Sequence, residues 1–325
     1  MRRLATLAGT IGLLCVLAFG PGQPAVAAPS AAGPQAPAVT YPLPPGVRFT
    51  HVAVNDTIAG NLSRISHPSA ANSSTAFVFA THNYTAQGAS ETYNDRAVGV
   101  YYGATLARGL SPAGFVGNWF LYHEDSSAFT PDTAYNIMVA PPGDRLFLHT
   151  TSITNTSGNS TYIDHPWLDG RTDRILFIQH NLLVTGPQIT QTLGVWYSGV
   201  DQQWAIFTED QTALPLNATF NVMIGLAGAN VFTHTATGPN TYSNYTVLDH
   251  PLANNNPNAV ILVTQVWNPA GGSGVYNPQH IGVFYIDGSG RWAIFNEDQS
   301  VDMPLGASFN VLIDEAKTFL PLSLR

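Results

Sequence analysis

Apolar and polar positions along the 325-residue chain fall into short runs of β-branched and aromatic residues, such as AVILVTQVW (259–267), HIGVFYI (280–286) and SFNVLI (308–313). Clusters of Gly, Pro, Asn and Asp bound each run, and runs of that length between such boundaries predict strands rather than helices. YIDGSGRW (285–292) reads as a hairpin whose turn is Asp287, Gly288, Ser289 and Gly290. The second and third parts of the chain show no helical period, so the pattern predicts an all-β protein.

The runs recur in a fixed order. RFTH, LFLH and VFTH place His51, His149 and His234. Sixteen residues on come His67, His165 and His250, each followed by proline, and fifteen further on come His82, His180 and Gln265. VGVYY, LGVWY and IGVFY follow, then NWFLYHED, QWAIFTED and RWAIFNED, then AYNIMV, TFNVMI and SFNVLI around Asn136, Asn221 and Asn310. The predicted architecture is three tandem β-sandwich or barrel-like repeats, closely stacked, over residues 47–142, 143–227 and 228–325. The last would end in a capping strand within KTFLPLSLR, and the alternative is a closed propeller-like ring. TLARGLSPAG (105–114) reads as a loop inserted in the first repeat.

Residues 1–27 read as a secretory signal: Arg2 and Arg3, an apolar run over 4–19, then small residues at Ala25 and Ala27. Residues 28–46 are Ala- and Pro-rich and read as a spacer. The expected location is therefore extracellular, with no stretch long enough for a membrane span. The only cysteine, Cys15, lies in the signal, so the exported chain has no disulfide, thiolate ligand or cysteine nucleophile. Without Arg2 and Arg3, 10 basic residues face 20 acidic ones, a formal charge of −10 that repels nucleic acid and anionic membranes.

The thrice-repeated Glu-Asp pair raises the question of catalysis. Adjacent residues on a strand point to opposite faces, so both cannot address one substrate atom. The better reading is bracing, with Asp125, Asp210 and Asp298 capping the turns that follow. Asn is depleted in strands, so Asn136, Asn221 and Asn310 are expected to satisfy buried backbone groups of a neighbouring loop. His51, His67 and His82, with His149, His165 and His180, are candidate zinc ligands only if their strands converge. No nucleophile elbow or phosphate loop is present, and no cofactor is expected.

Trp167 in HPWLDGRTD and Trp267 in QVWNPAGGSGVYN each belong to one repeat only and stand beside turn residues. Flat rings flanked by polar side chains are how sugar-binding surfaces are built, which makes Trp167, Asp169, Arg171, Trp267 and Asn268 the candidate ligand-binding residues. Residues 249–313, with WAIFN-x-D followed by FNV, resemble an uncharacterised repeat domain of secreted bacterial, especially actinobacterial, proteins. The resemblance implies export and a β fold and carries no activity with it. The expected function is a secreted, non-enzymatic binding or adhesion protein for an extracellular glycan or envelope surface. The alternatives are a hydrolase, metal-assisted or not, with its site in one repeat, and a structural envelope component.

Overall fold

A computed structural model describes residues 42–86, 89, 91–103, 116–183 and 186–315. The signal, most of the spacer, the 105–114 insertion and the C-terminal strand expected within 317–325 lie outside these residues.

The strands come in three matching series. The first is β1 (Val47–Val52), β2 (Ile58–Ala59), β3 (Leu62–Arg64), β4 (Phe77–Asn83), β5 (Val98–Tyr102), β6 (Trp119–His123) and β7 (Ala134–Ala140). The second is β8 (Leu146–Thr150), β9 (Thr156–Ser157), β10 (Ser160–Ile163), β11 (Arg174–His180), β12 (Leu193–Ser198), β13 (Gln203–Thr208) and β14 (Thr219–Leu226). The third is β15 (Val231–Thr235), β16 (Thr241–Tyr242), β17 (Tyr245–Leu248), β18 (Ala259–Val266), β19 (Ile281–Ile286), β20 (Arg291–Asn296) and β21 (Ser308–Glu315). The all-β class holds, and β19 and β20 form the expected hairpin.

Each series splits between two sheets. Strands β1, β7 and β4 continue directly into β19, β20, β17 and β16, giving one seven-stranded sheet from the first and third series. Strands β15, β21 and β18 continue in the same way into β12, β13, β10 and β9. The remaining three-stranded and four-stranded sheets, β11-β14-β8 and β2-β3-β6-β5, are linked by the bridge between Val100 and Asn181. The joints are parallel and equivalent: Gly282 opposite His82, Gly194 opposite Gln265, Val100 opposite Asn181. The first repeat thus joins the second, the second the third, and the third the first. The close packing foreseen from sequence is a closed ring in which every sheet is shared.

Within each series the three-stranded and four-stranded halves face each other over their own core. Trp119, Trp204 and Trp292 occupy the same place in these cores, each at most 2 % exposed. Their indole N–H groups donate to backbone oxygens of Ser73, Arg171 and Asn256 at 2.8–2.9 Å, so burying them strands no donor. A further core draws on all three repeats: Phe79 and Met138, Phe177 and Met223, Leu262 and Leu312. Strands β4, β11 and β18 are therefore covered on both faces, which explains their near-continuous apolar runs.

Candidate functional sites at the repeat interfaces

Each Glu-Asp pair divides as strand alternation requires. Asp125, Asp210 and Asp298 face outward and accept from the backbone N–H and the hydroxyl two residues on, Ser127, Thr212 and Ser300, at 2.6–3.0 Å. These are the expected turn caps. The glutamates turn inward and are buried. Glu297 reaches the first repeat, where its Oε1 lies 2.5 Å from Nδ1 of His82 and its Oε2 accepts from the N–H of Asn94 at 2.9 Å. Glu124 reaches the second repeat in the same way, 2.5 Å from Nδ1 of His180 and 2.9 Å from the N–H of Ile189. Glu209 reaches the third, accepting from the N–H of Asn277 at 3.1 Å, but Gln265 stands where the imidazole would be and donates to Gln279 instead. Burial accordingly pushes the Glu209 carboxyl up to about 8, against the pull of the Asn277 N–H.

The glycine of VGVYY, LGVWY and IGVFY makes room for this contact. A Cβ on Gly99, Gly194 or Gly282 would meet the glutamate Oε1 at 2.4–2.6 Å and the ring of Tyr122, Phe207 or Phe295. The asparagines also cross between repeats, which corrects the expectation that they serve loops of their own module. Asn136 donates to the carbonyl of Ile261, Asn221 to Val78 and Asn310 to Leu176, at 2.9–3.1 Å. The physical reason is burial: the three asparagines are at most 1 % exposed, and the backbone carbonyls of β4, β11 and β18 beside them need partners there. Thr81, Thr264 and Gln179 complete the circuit by accepting from the N–H groups of Val263, Ile178 and Ala80.

The histidines do not converge on a metal. His51, His149 and His234 place Nε2 2.7–2.9 Å from the hydroxyls of Ser63, Thr161 and Thr246, and burial pushes all three down to about 4. His67, His165 and His250 stack on Phe49, Phe147 and Phe232 at 4.2–4.4 Å and take the backbone N–H two residues on. His82 and His180 are the glutamate partners. Among the described residues no group of three His, Cys, Asp or Glu is placed to hold a metal ion.

The five ligand-binding candidates lie in two places. Trp167 is exposed on the turn after β10, the carboxylate of Asp169 accepts from the N–H of His165, and Arg171 pairs with Asp173. Trp267 lies at the joint between the second and third repeats, with Trp196 at 6.2 Å and Tyr276 at 5.6 Å. Asn268 is buried there, its amide committed to both the N–H and the carbonyl of Tyr197. It braces β12 against the 269–271 turn.

Trp267 belongs to a set the sequence reading missed. On the outer face of every joint the same positions recur: the residue two after the third landmark, the outward residue of the GV-Y strand, the last ring before the Glu-Asp pair, and the residue before the N–H donor to the glutamate. Between the third and first repeats these are Tyr84, Phe284, Phe295 and Tyr93, joined by Tyr245 and Asn244 around a cleft of about 240 Å³. Between the second and third they are Trp267, Trp196, Phe207 and Tyr276. Between the first and second they are Leu182, Tyr101, Tyr122 and Gln188, beside Leu62 and Asn61, around a cleft of about 420 Å³. The signal was available in the aligned repeats, in ring positions that the repeat cores do not need.

A domain of unknown function, DUF7452, matches the chain three times, over residues 36–106, 113–224 and 194–313. The chain belongs to this family. The second and third matches of the DUF7452 model overlap over residues 194–224, which hold nearly all of β12, all of β13 and most of β14. No curated protein and no solved structure matches the chain at a significant level. Among the described residues, no helix is long and apolar enough to cross a membrane.

Proposed function

We propose that this DUF7452 protein is a secreted, non-enzymatic binding protein that presents the aromatic joint of its second and third repeats to an extracellular glycan or envelope surface. The observation that supports it is the outer face of the joints, above all Trp196, Trp267 and the exposed Tyr276 at the joint of the second and third repeats. Aromatic rings open to solvent are suited to the C–H faces of pyranoses, whereas Tyr101 and Tyr122 at the joint of the first and second repeats are each 1 % exposed and offer no such face. The repeated Glu and Asn side chains, by contrast, spend their hydrogen bonds on holding the ring together, and His82 and His180 do so through Nδ1, with Nε2 of each left without a partner among the described residues. The formal charge of −10 left once Arg2 and Arg3 are removed argues against a polyanionic partner.

The test is retention of the purified protein on a panel of insoluble polysaccharides and on purified bacterial cell walls. Retention by at least one matrix, reduced by about tenfold or more in a Trp267→Ala, Tyr276→Ala double variant that keeps the wild-type circular dichroism, is the expected result. Absence of retention on every matrix contradicts the reading.

A further inference from the structure

We infer that the cleft between the third and first repeats is an aromatic cage for a quaternary ammonium group. The inference concerns a different cleft from the Trp267 surface and does not depend on the glycan reading. Its basis is the arrangement of the rings. Phe295 is the buried ring among them, and Tyr84, Tyr93 and Phe284 stand around it with interplanar angles of 69°, 83° and 82° at centroid distances of 5.6–5.8 Å. Tyr245 in turn stands at 84° to Phe284, 5.3 Å away. A sugar platform is one flat ring with its face open to solvent. Here Tyr84 and Tyr93, in contact at a centroid distance of 4.6 Å and an angle of 41°, stand with Phe284 and Tyr245 around Phe295, so that five rings line a single space.

The size and charge of that space fit an organic cation. About 240 Å³ is roughly the share of eight water molecules, ample for a nitrogen bearing three methyl groups. Its lining carries neither lysine nor arginine among the described residues. Carboxylates lie close by: Glu297 and Glu91 both act on the Tyr93 hydroxyl, which burial and a hydrogen bond with Tyr84 push up to about 12. Asp302 accepts from the hydroxyl of Ser243, the residue before the cleft-lining Asn244. The negative faces of the rings and the surrounding carboxylates attract the same sign of charge, while a methylated ammonium is weakly hydrated and enters an apolar box at small desolvation cost.

The other two joints differ in ways that confine the cage to this one. The joint between the first and second repeats has Leu182 and Gln188 where Tyr84 and Tyr93 stand, and Leu62 in place of Tyr245. The joint between the second and third has buried Ser160 at the Tyr245 position, bonded to Trp196.

The experiment is calorimetric titration of the full chain with choline chloride and with 3,3-dimethylbutan-1-ol, which has the same shape and no charge. The cage requires choline to bind at least about tenfold more tightly than the alcohol, Tyr93→Phe to retain that preference, and Tyr93→Ala or Tyr245→Ala to weaken choline by about tenfold. Tyr93 is on the surface, so its variants keep the fold, and the two-ligand comparison on the wild-type chain needs no variant at all. Phosphatidylcholine vesicles identify the source: retention that choline competes away supports the cage with a lipid headgroup, and choline binding without retention supports it with a soluble or polymer-borne one. Equal affinity for the two compounds, or no heat with choline, overturns the cage, and retention on polysaccharide matrices in the same preparation would show that the glycan reading survives it.

Discussion

Glu124 in the first repeat lies 2.5 Å from His180 in the second, 56 residues along the chain, in a position where both side chains are buried. The hydroxyl of Tyr122 donates to the same carboxylate oxygen and also lies 3.0 Å from the imidazole. Seen in one repeat, the NWFLYHED motif looks like an exposed acid pair at a strand end. Its glutamate is in fact a clasp on the next repeat, and only the aspartate serves its own turn.

The clasp is incomplete at one joint, and stability should depend on pH because of it. The folded Glu209 carboxyl, at about 8 against an ordinary 4.5, holds its proton more tightly than the unfolded one. Its contribution is fully present below pH 4.5 and is lost as pH rises through 8, a swing on the order of 3–5 kcal/mol. Thermal melts between pH 5 and 8.5 should show wild type losing stability relative to Glu209→Gln. Parallel curves for the two proteins would contradict the assignment.

Gln265→His supplies the imidazole that the other two joints possess. Paired with Glu209, it should flatten the same pH profile from the alkaline side by stabilising the ionised carboxyl. The measurement is the melting temperature at pH 8.5, expected to rise above wild type. A fall at that pH would mean that the third joint is not built like the others.

Asn221→Ala removes the donor to the Val78 carbonyl and the acceptor for Asn181, both fully enclosed. Each group left unpaired costs about 1–3 kcal/mol. Denaturant unfolding should show a loss in that range or above it, with an unchanged slope. A loss within experimental error would imply that water replaces the amide.

Gly282→Ala forces a methyl group to within 2.6 Å of the Glu297 carboxylate and 2.7 Å of the Phe295 ring. Overpacking of this kind costs about 1–3 kcal/mol. A Gly288→Ala control in the β19–β20 turn, where a Cβ meets nothing within 4 Å, should be close to neutral. Equal effects of the two substitutions would argue against the cradle.

The order of elements was legible because it rests on strand periodicity and on turn residues, both local. The hairpin at 285–292 and the aspartate caps follow from a few adjacent residues. The substitution of Gln265 for histidine was visible as a break in the pattern, although its consequence for Glu209 was not. The partners of Glu124, Glu297 and Asn136 were not legible, because they belong to other repeats and nothing in a single chain states which repeat a buried side chain will face. For the same reason the histidines looked like ligands in search of a metal. The interface clefts were hidden differently: Tyr84, Tyr93, Tyr245 and Phe284 read as ordinary strand and loop aromatics until the joint brings them together.

The closed ring is tested most directly at the contact between its two ends, His82 and Glu297, which lie 215 residues apart and 2.5 Å from each other. A double-mutant cycle with His82→Ala and Glu297→Gln, read by denaturant unfolding, should return a coupling of about 1–3 kcal/mol, since residues that share a buried hydrogen bond are not additive. Strict additivity, with no coupling beyond about 0.5 kcal/mol, would mean that the third repeat does not close on the first.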